Sequence, residues 1–321
     1  MSAATEAATW LLTDGAAGNR RQAEALAAAL GRPAFAPVLA VRAPWRWFAP
    51  RWRPWSLRAL GVPPPARWPD LAIGCGRQGA LALRTLRRLS GGATRTVQIL
   101  DPRSDPADFD LLLVPDHDAL RGANVIVTRG ALNPVDDPWL AQARRDWPAF
   151  GTLPGPRTAV LLGGSNRALQ LDERYWRALA TRLGDWLQRD RGSLLLTTSR
   201  RSPDWLREAA RAEFSAVPGV QWHGADDGPN PYAGLLGWAD RIVVTPDSVN
   251  LLSEACATSV PVCCHLERPL QGKLARFLGA LIESGRVRPM QREFGAWPVQ
   301  PLRETAAVAA EVRARLALDA S

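Results

Sequence analysis

Lysine is nearly absent from this 321-residue chain: Lys273 is the only one among 40 basic residues, so arginine carries the net charge of +9. Arginine grips phosphate through paired hydrogen bonds, which points to phosphate-bearing partners or anionic surfaces, although a GC-rich genome produces the same lean to arginine, alanine and tryptophan. Cysteine and histidine are also scarce. Cys75, Cys256, Cys263 and Cys264 form no CxxC pair, and His117, His223 and His265 are scattered, which excludes a structural zinc site and a disulfide framework. No apolar run approaches the roughly 20 residues needed to cross a bilayer, so an integral membrane protein is excluded. Met1 to Thr9 holds Glu6 and no basic residue before the short apolar run at Trp10 to Leu12. No secretory leader is therefore expected, and the expected location is the cytoplasm. There is no low-complexity tract or short-period repeat, which sets solenoids and propellers aside. No recognition helix or RNA-binding signature accompanies the basic charge, so no nucleic-acid partner is expected.

What is present is an alternation of short β-rich runs with helical stretches, the pattern of parallel sheets covered by helices. Strands are predicted at Thr9 to Thr13, Ala34 to Leu39, Leu71 to Gly74, Thr96 to Leu100, Asp110 to Val114 and Asn124 to Thr128. After Trp147 the composition turns to Pro, Gly and small residues, and the pattern restarts at Thr158 to Leu162. Further strands are predicted at Ser193 to Thr197, Gln221 to His223, Arg241 to Val244 and Pro261 to Cys264. The division is an N-terminal Rossmann-like domain over 1–147, a linker over 148–157, a C-terminal Rossmann-like domain over 158–300 and a helix over 301–321 that packs back on the first domain. The fold class is α/β, two doubly wound domains.

Chemistry-bearing residues gather where strands end. Gly163, Gly164, Ser165 and Asn166 follow a buried strand, where backbone N–H groups can cradle a phosphate. This turn is neither a GxGxxG fingerprint nor a loop ending in Lys-Ser/Thr, so neither a dinucleotide site nor a Walker-type ATP site is supported. Ser199, Arg200 and Arg201 follow the next strand and make an oxyanion site; the alternative is a solvated helix start with Ser202 as cap. In Thr245-Pro246-Asp247-Ser248, Asp247 and Ser248 precede a helix carrying Glu254, a carboxylate that can accept both hydroxyls of a ribose. The plainer reading makes Asp247 or Ser248 a helix cap. In the first half, Asp14, Gly15, Gly18 and Asn19 form one ligand-approaching turn and Gly76, Arg77 and Gln78 another. His117 lies between Asp116 and Asp118 and is the general-base candidate, with a neighbouring carboxylate to orient its imidazole.

Trp45, Trp47, Phe48, Trp52 and Trp55 interleave with Arg42, Arg46, Arg51, Arg53 and Arg58. This mixture suits an anionic bilayer interface, and it would also suit single-stranded nucleic acid. The alternative is that the tryptophans pack beneath the domain. Pro44, Pro50 and Pro54 exclude one continuous helix.

Gly74-Cys75-Gly76-Arg77-Gln78, Pro115-Asp116-His117-Asp118, Thr198-Ser199-Arg200-Arg201 and Thr245-Pro246-Asp247-Ser248, in this order, resemble the mitochondrial fission factor family named for the plant elongated-mitochondria protein. That family has many bacterial members, and the resemblance covers most of the chain. The layout is also similar to GT-B glycosyltransferases, two Rossmann-like domains facing each other across a cleft. It implies a nucleotide-sugar as substrate rather than a cofactor. Gly163, Gly164, Ser165 and Arg200 would hold the diphosphate and Glu254 the ribose, with no metal. Gly15, Gly18, Asn19, Gly76, Arg77 and Gln78 would form the acceptor side, and His117, Asp14 or Asp118 would handle the proton. Trp45, Trp47, Trp52, Trp55, Arg46 and Arg51 would rest on the inner face of a membrane carrying a lipid-linked acceptor. The alternatives are a nucleotide-sugar epimerase on the same plan and a non-catalytic scaffold. Oligomeric state is not legible.

Overall fold

A computed structural model describes residues 8–318. The stretch Met1 to Thr9 read for a leader lies almost entirely outside that range, as do residues 319–321. The described chain divides into two compact units, one running to Asn133 and resuming at Glu304, the other spanning Pro134–Arg303.

Unit 1 is built on six parallel strands: β1 (Thr9–Thr13), β2 (Ala34–Phe35), β3 (Leu71–Cys75), β4 (Arg95–Ile99), β5 (Leu111–Pro115) and β6 (Val125–Thr128). Their order is β2-β1-β3-β4-β5-β6, so the winding reverses between β1 and β3. Strands such as Leu-Ala-Ile-Gly-Cys in β3 are buried along their whole length, as a sheet covered on both faces requires. Helix α1 (Ala17–Ala29) and a C-terminal helix (Thr305–Leu316) fill one face; helix α3 (Gly76–Leu89) fills the other, after the short helix α2 (Trp45–Phe48). Gly79 on α3 lies so close to β1 that a Cβ there would sit 2.5 Å from the Leu12 carbonyl. On the same helix Leu81, Leu83 and Leu86 are fully buried, each contributing about 2 kcal/mol. The strand expected over Ala34 to Leu39 shrinks to two residues plus a single bridge from Thr13 to Val38, because Pro37 has no N–H to donate. The C-terminal helix is tied to its unit by Arg313 donating to the Leu30 carbonyl (3.1 Å) and Arg315 to that of Ala123 (3.0 Å).

Unit 2 repeats the plan with β7 (Arg157–Leu162), β8 (Ser193–Thr198), β9 (Gly219–Trp222), β10 (Arg241–Val244), β11 (Val262–Cys264) and β12 (Val287–Pro289), again all parallel. The order β12-β11-β10-β7-β8-β9 places the reversal between β7 and β10. Its helices are α4 (Asp137–Asp146), α5 (Glu173–Asp190), α6 (Asp204–Glu213), α7 (Tyr232–Trp238), α8 (Val249–Cys256) and α9 (Gly272–Glu283). Strand β12 has only three residues and was not expected.

The unit boundary falls earlier than Trp147, and 148–157 is not a free linker. Asp136 caps α4 by accepting from the Trp139 N–H (2.7 Å), and Leu140 of that helix lies in the same core cluster as Leu235 and Leu236 of α7. Residues Pro148–Thr152 form a 3₁₀ turn that buries Phe150 in that cluster. A stretch rich in Pro and Gly has no hydrophobic period, but one aromatic residue is enough to pin it.

At the end of β11, burial pushes the His265 imidazole from 6.5 down to about 4, with Arg182 adding to the effect. Its ring meets Tyr175 edge-on at 5.0 Å, and its Nε2 is buried without a hydrogen-bond partner. Because the folded value lies below the unfolded one, the contribution to stability is fully present above pH 6.5 and is lost as pH falls towards 4. That loss is about 3 kcal/mol. Urea unfolding of His265→Gln at several pH values is expected to show a shallower decline across this window than the parent; an identical slope would place the acid sensitivity elsewhere.

Candidate functional site

The reversal point of a doubly wound sheet leaves a crevice beyond the carboxyl ends of its two flanking strands, because their connections leave in opposite directions. In unit 2 these strands are β7 and β10, with the β8 turn alongside, and three turns meet there. The carboxylate of Asp247 has no solvent-exposed side-chain surface. It accepts from the Gly164 N–H (3.1 Å), the Thr245 hydroxyl (2.7 Å) and the Arg201 guanidinium (2.6 Å). Thr245 in turn accepts from the Gly163 N–H at 2.7 Å, and the Asn166 amide donates to the Asp247 carbonyl at 2.8 Å. Ser202 closes the ring by accepting from the Ser199 N–H (3.0 Å) and donating to the Gly163 carbonyl. Burial pushes the Asp247 carboxyl above its ordinary range, against the lowering pull of Thr245, Gly164 and Arg201.

This geometry revises the expected phosphate cradle. The N–H groups of Gly163 and Gly164 already serve Thr245 and Asp247, so they brace the turns instead of facing a ligand. The glycines are required by proximity: a Cβ on Gly163 would overlap the Asp247 carboxylate, and one on Gly164 would overlap the Arg201 carbonyl. Ser165 is exposed but accepts from the Leu171 N–H at 2.9 Å, while Asn166 caps its own turn by accepting from Ala168 and Leu169. Asp247 is a brace and not a helix cap; Ser248 caps α8, accepting from the Leu251 N–H at 3.4 Å. Glu254 also differs from expectation. It is only 2% exposed, and the Tyr232 hydroxyl donates to it. Open to solvent at these strand ends are Arg200 and the half-exposed Arg201.

Thr245 and Tyr232 were given no duty from the sequence, and Ser202 was read only as an alternative helix cap. Tyr232 had a signal, since the chain has two tyrosines and this one follows Asn230-Pro231. A serine or threonine hydroxyl in a turn has none, because only the fold brings residue 245 to residue 163.

In unit 1 the reversal lies between β1 and β3. Asp14 is exposed and accepts from the Ala16 N–H (3.1 Å) and the Asn19 amide (2.9 Å), steadying the turn before α1. Gly76 takes a φ of +76° at the start of α3, where a Cβ would sit 2.7 Å from the Asn19 amide nitrogen. Gly15 also has a positive φ, of +77°, and Gly18 opens α1. Arg77 is exposed and Gln78 half-buried on the first turn of α3. Burial, followed by the charge of Asp14, pushes the Cys75 thiol far above its usual range, so it is no thiolate nucleophile. His117 follows β5, two strands from the reversal. Its neighbour Asp116 is held by Arg121 at 2.8 Å, and Asp118 on its other side is buried. Of the surface tract, Trp45 is half-buried and packs on the α3 side of the core, whereas Trp47, Trp52, Trp55, Arg46 and Arg51 are exposed. Among the described residues no helix is long and apolar enough to cross a membrane.

The model of the family described as Mitochondrial fission ELM1 matches residues 17–316, so the chain belongs to that family. The Mitochondrial fission protein ELM1 of Arabidopsis thaliana is 32% identical over 285 residues, which cover 78% of this chain. The match spans 64% of that relative, less than two thirds of its length. Among solved structures, the UDP-GlcNAc 2-epimerase of Methanocaldococcus jannaschii aligns with a TM-score of 0.57 at 12% identity, over 95% of this chain and 98% of the other. The structure of that organism's epimerase in complex with UDP-GlcNAc and UDP aligns with a TM-score of 0.51 at 11% identity, over the same shares. At such identity the likeness speaks for the fold alone, and that fold is the two-domain doubly wound kind expected from the sequence.

Replacing Asp247 by Asn removes the Arg201 ion pair and sets an amide against two donors. The expected loss is about 2 kcal/mol, or about 4–8 °C in melting temperature. Ser165→Ala should stay within about 0.5 kcal/mol of the parent. An Asp247→Asn protein as stable as the parent in a thermal melt would refute the bracing role.

Proposed function

We propose that this member of the ELM1 family binds a sugar nucleotide at the carboxyl ends of β7, β8 and β10 in unit 2 and transfers its sugar to an acceptor hydroxyl. The observation that carries the reading is the presentation of Arg200 and Arg201 beside the β7/β10 reversal, on a turn that Ser202 braces against Gly163, with the Arg201 guanidinium held by Asp247 and still half-exposed. Guanidinium groups presented at such a turn bind a diphosphate with charge-assisted, paired hydrogen bonds. The start of α8 adds backbone N–H groups, with no acidic residue in its first turn to oppose an anion. Structures of the same fold holding UDP-GlcNAc and UDP support the ligand class by analogy.

In transfer, the bond between the anomeric carbon and the diphosphate oxygen breaks and its electron pair stays on the phosphate. The acceptor oxygen bonds to the carbon, and its proton passes to the departing diphosphate. The charge that develops on the leaving diphosphate is neutralised by the two arginines and the α8 N–H groups, which replaces the work of a metal ion. Ribose recognition by Glu254 takes the form of an exchange, in which a sugar hydroxyl displaces the hydroxyl of Tyr232 that now donates to the carboxylate.

Calorimetric titration with UDP, GDP, ADP and CMP is the test. One nucleoside diphosphate is expected to bind, and Arg200→Ala is expected to weaken it by about tenfold or more while leaving the fold unchanged. No binding across the set by a folded protein would contradict the proposal and favour a scaffold. Turnover of the sugar nucleotide without any acceptor would replace transfer by rearrangement.

A further inference from the structure

The segment 42–58 of unit 1 plays no part in the sugar-nucleotide reading, yet it is the most unusual surface in the chain. It is held firmly from below. Arg84 of α3, 9% exposed, pairs with Asp108 at 2.6 Å and donates to the Pro50 carbonyl. One turn further on, Arg88 donates to the Pro54 carbonyl at 2.5 Å and lies over the Trp55 ring at 5.4 Å. Leu57 and Leu60 sink into the core. The backbone of the segment is therefore anchored at Pro50, Pro54 and Leu57, with Leu60 just beyond its end.

What the anchored backbone presents outward is apolar. Trp47 is 70% exposed, Trp52 56% and Trp55 81%, and Phe48 stacks on Trp52 with ring centroids 4.4 Å apart. A contiguous exposed patch of large aromatic residues is rare on a soluble surface and marks an interaction site. The charge around it is predominantly of one sign, the exception being Asp108, which pairs with Arg53 at 3.6 Å. Arg42, Arg46, Arg51, Arg53 and Arg58 are all exposed, and from Ala25 to Pro69 the sequence has no Asp or Glu.

We infer that this surface docks on an anionic lipid bilayer, with the indoles seated among the headgroups and the arginines on lipid phosphates. Tryptophan has an apolar body and an N–H edge, which suits the depth where hydrocarbon meets headgroup, and guanidinium groups bind phosphate there. The stacking of Phe48 on Trp52 favours lipid over single-stranded nucleic acid. It takes from bases one face of each ring, and joins the two side chains into one apolar wedge.

The test is co-sedimentation of the full chain with phosphatidylcholine–phosphatidylglycerol vesicles and with phosphatidylcholine vesicles alone. Binding is expected only when the anionic lipid is present, and it should weaken as salt is raised. Arg46→Ala and Arg51→Ala should each reduce it about fivefold. A Trp47→Ser, Trp52→Ser double variant should reduce it about tenfold or more while the far-ultraviolet circular dichroism stays that of the parent. Equal binding to both vesicle types, or undiminished binding by these variants, would overturn the inference. So would capture of polyuridylate in preference to the vesicles.

Discussion

One buried carboxylate ties the candidate site together. Asp247 has no exposed side-chain surface, and three donors from three different turns converge on it. Isolating an ionised group from water is expensive, and the expense is tolerable only when such donors are exact in position. The brace therefore fixes how β7, β8 and β10 end, where the β8 turn sits, and how Arg200 and Arg201 are offered to solvent. Two of the glycines in unit 2 exist for the same reason, since any side chain at 163 or 164 would collide with a member of the brace.

The arginine content resolves into separate duties. Arg241 is a structural bolt, 2% exposed, paired with Asp190 at 2.7 Å and sandwiched against Trp186 and Phe294. Arg286 holds the carbonyls of Cys256 and Thr258 at 2.7 Å each, satisfying backbone oxygens where the chain leaves α8. Arg84 and Arg88 brace a loop from beneath. Against this background Arg200 at the β8 end and Arg42, Arg46, Arg51 and Arg58 of the 42–58 segment are the exposed ones offered to partners, while Arg201 shares its guanidinium with Asp247 and Arg53 pairs with Asp108. Composition alone does not separate the two sets, because a buried guanidinium and a solvent-facing one count equally in the net charge.

The sheets were legible because their strands are continuous apolar runs: Leu111 to Val114 and Ala159 to Leu162 are fully buried and were expected as such. The edge strand β12 was not, since three residues carry no period, whereas the edge strands β6 and β9 were expected. The unit boundary was misplaced because Pro148 to Pro156 looks like a linker until Phe150 is seen to be buried. At the site, residue types at strand ends were legible and their duties were not. A glycine pair after a strand reads as a phosphate cradle, but its N–H groups are spent on Thr245 and Asp247, some eighty residues away in sequence. Glu254 likewise reads as a ribose ligand, while its engagement by Tyr232 depends on how α7 packs beside α8.

The most direct measurement is hydrogen–deuterium exchange of the full chain with and without a saturating nucleoside diphosphate. Slower exchange confined to 163–166, 199–203 and 245–254 is the predicted result, since these segments form the braced strand ends of unit 2. Exchange unchanged by UDP, GDP and ADP, or protection appearing only elsewhere in the chain, would contradict a sugar-nucleotide site at the β7/β10 reversal.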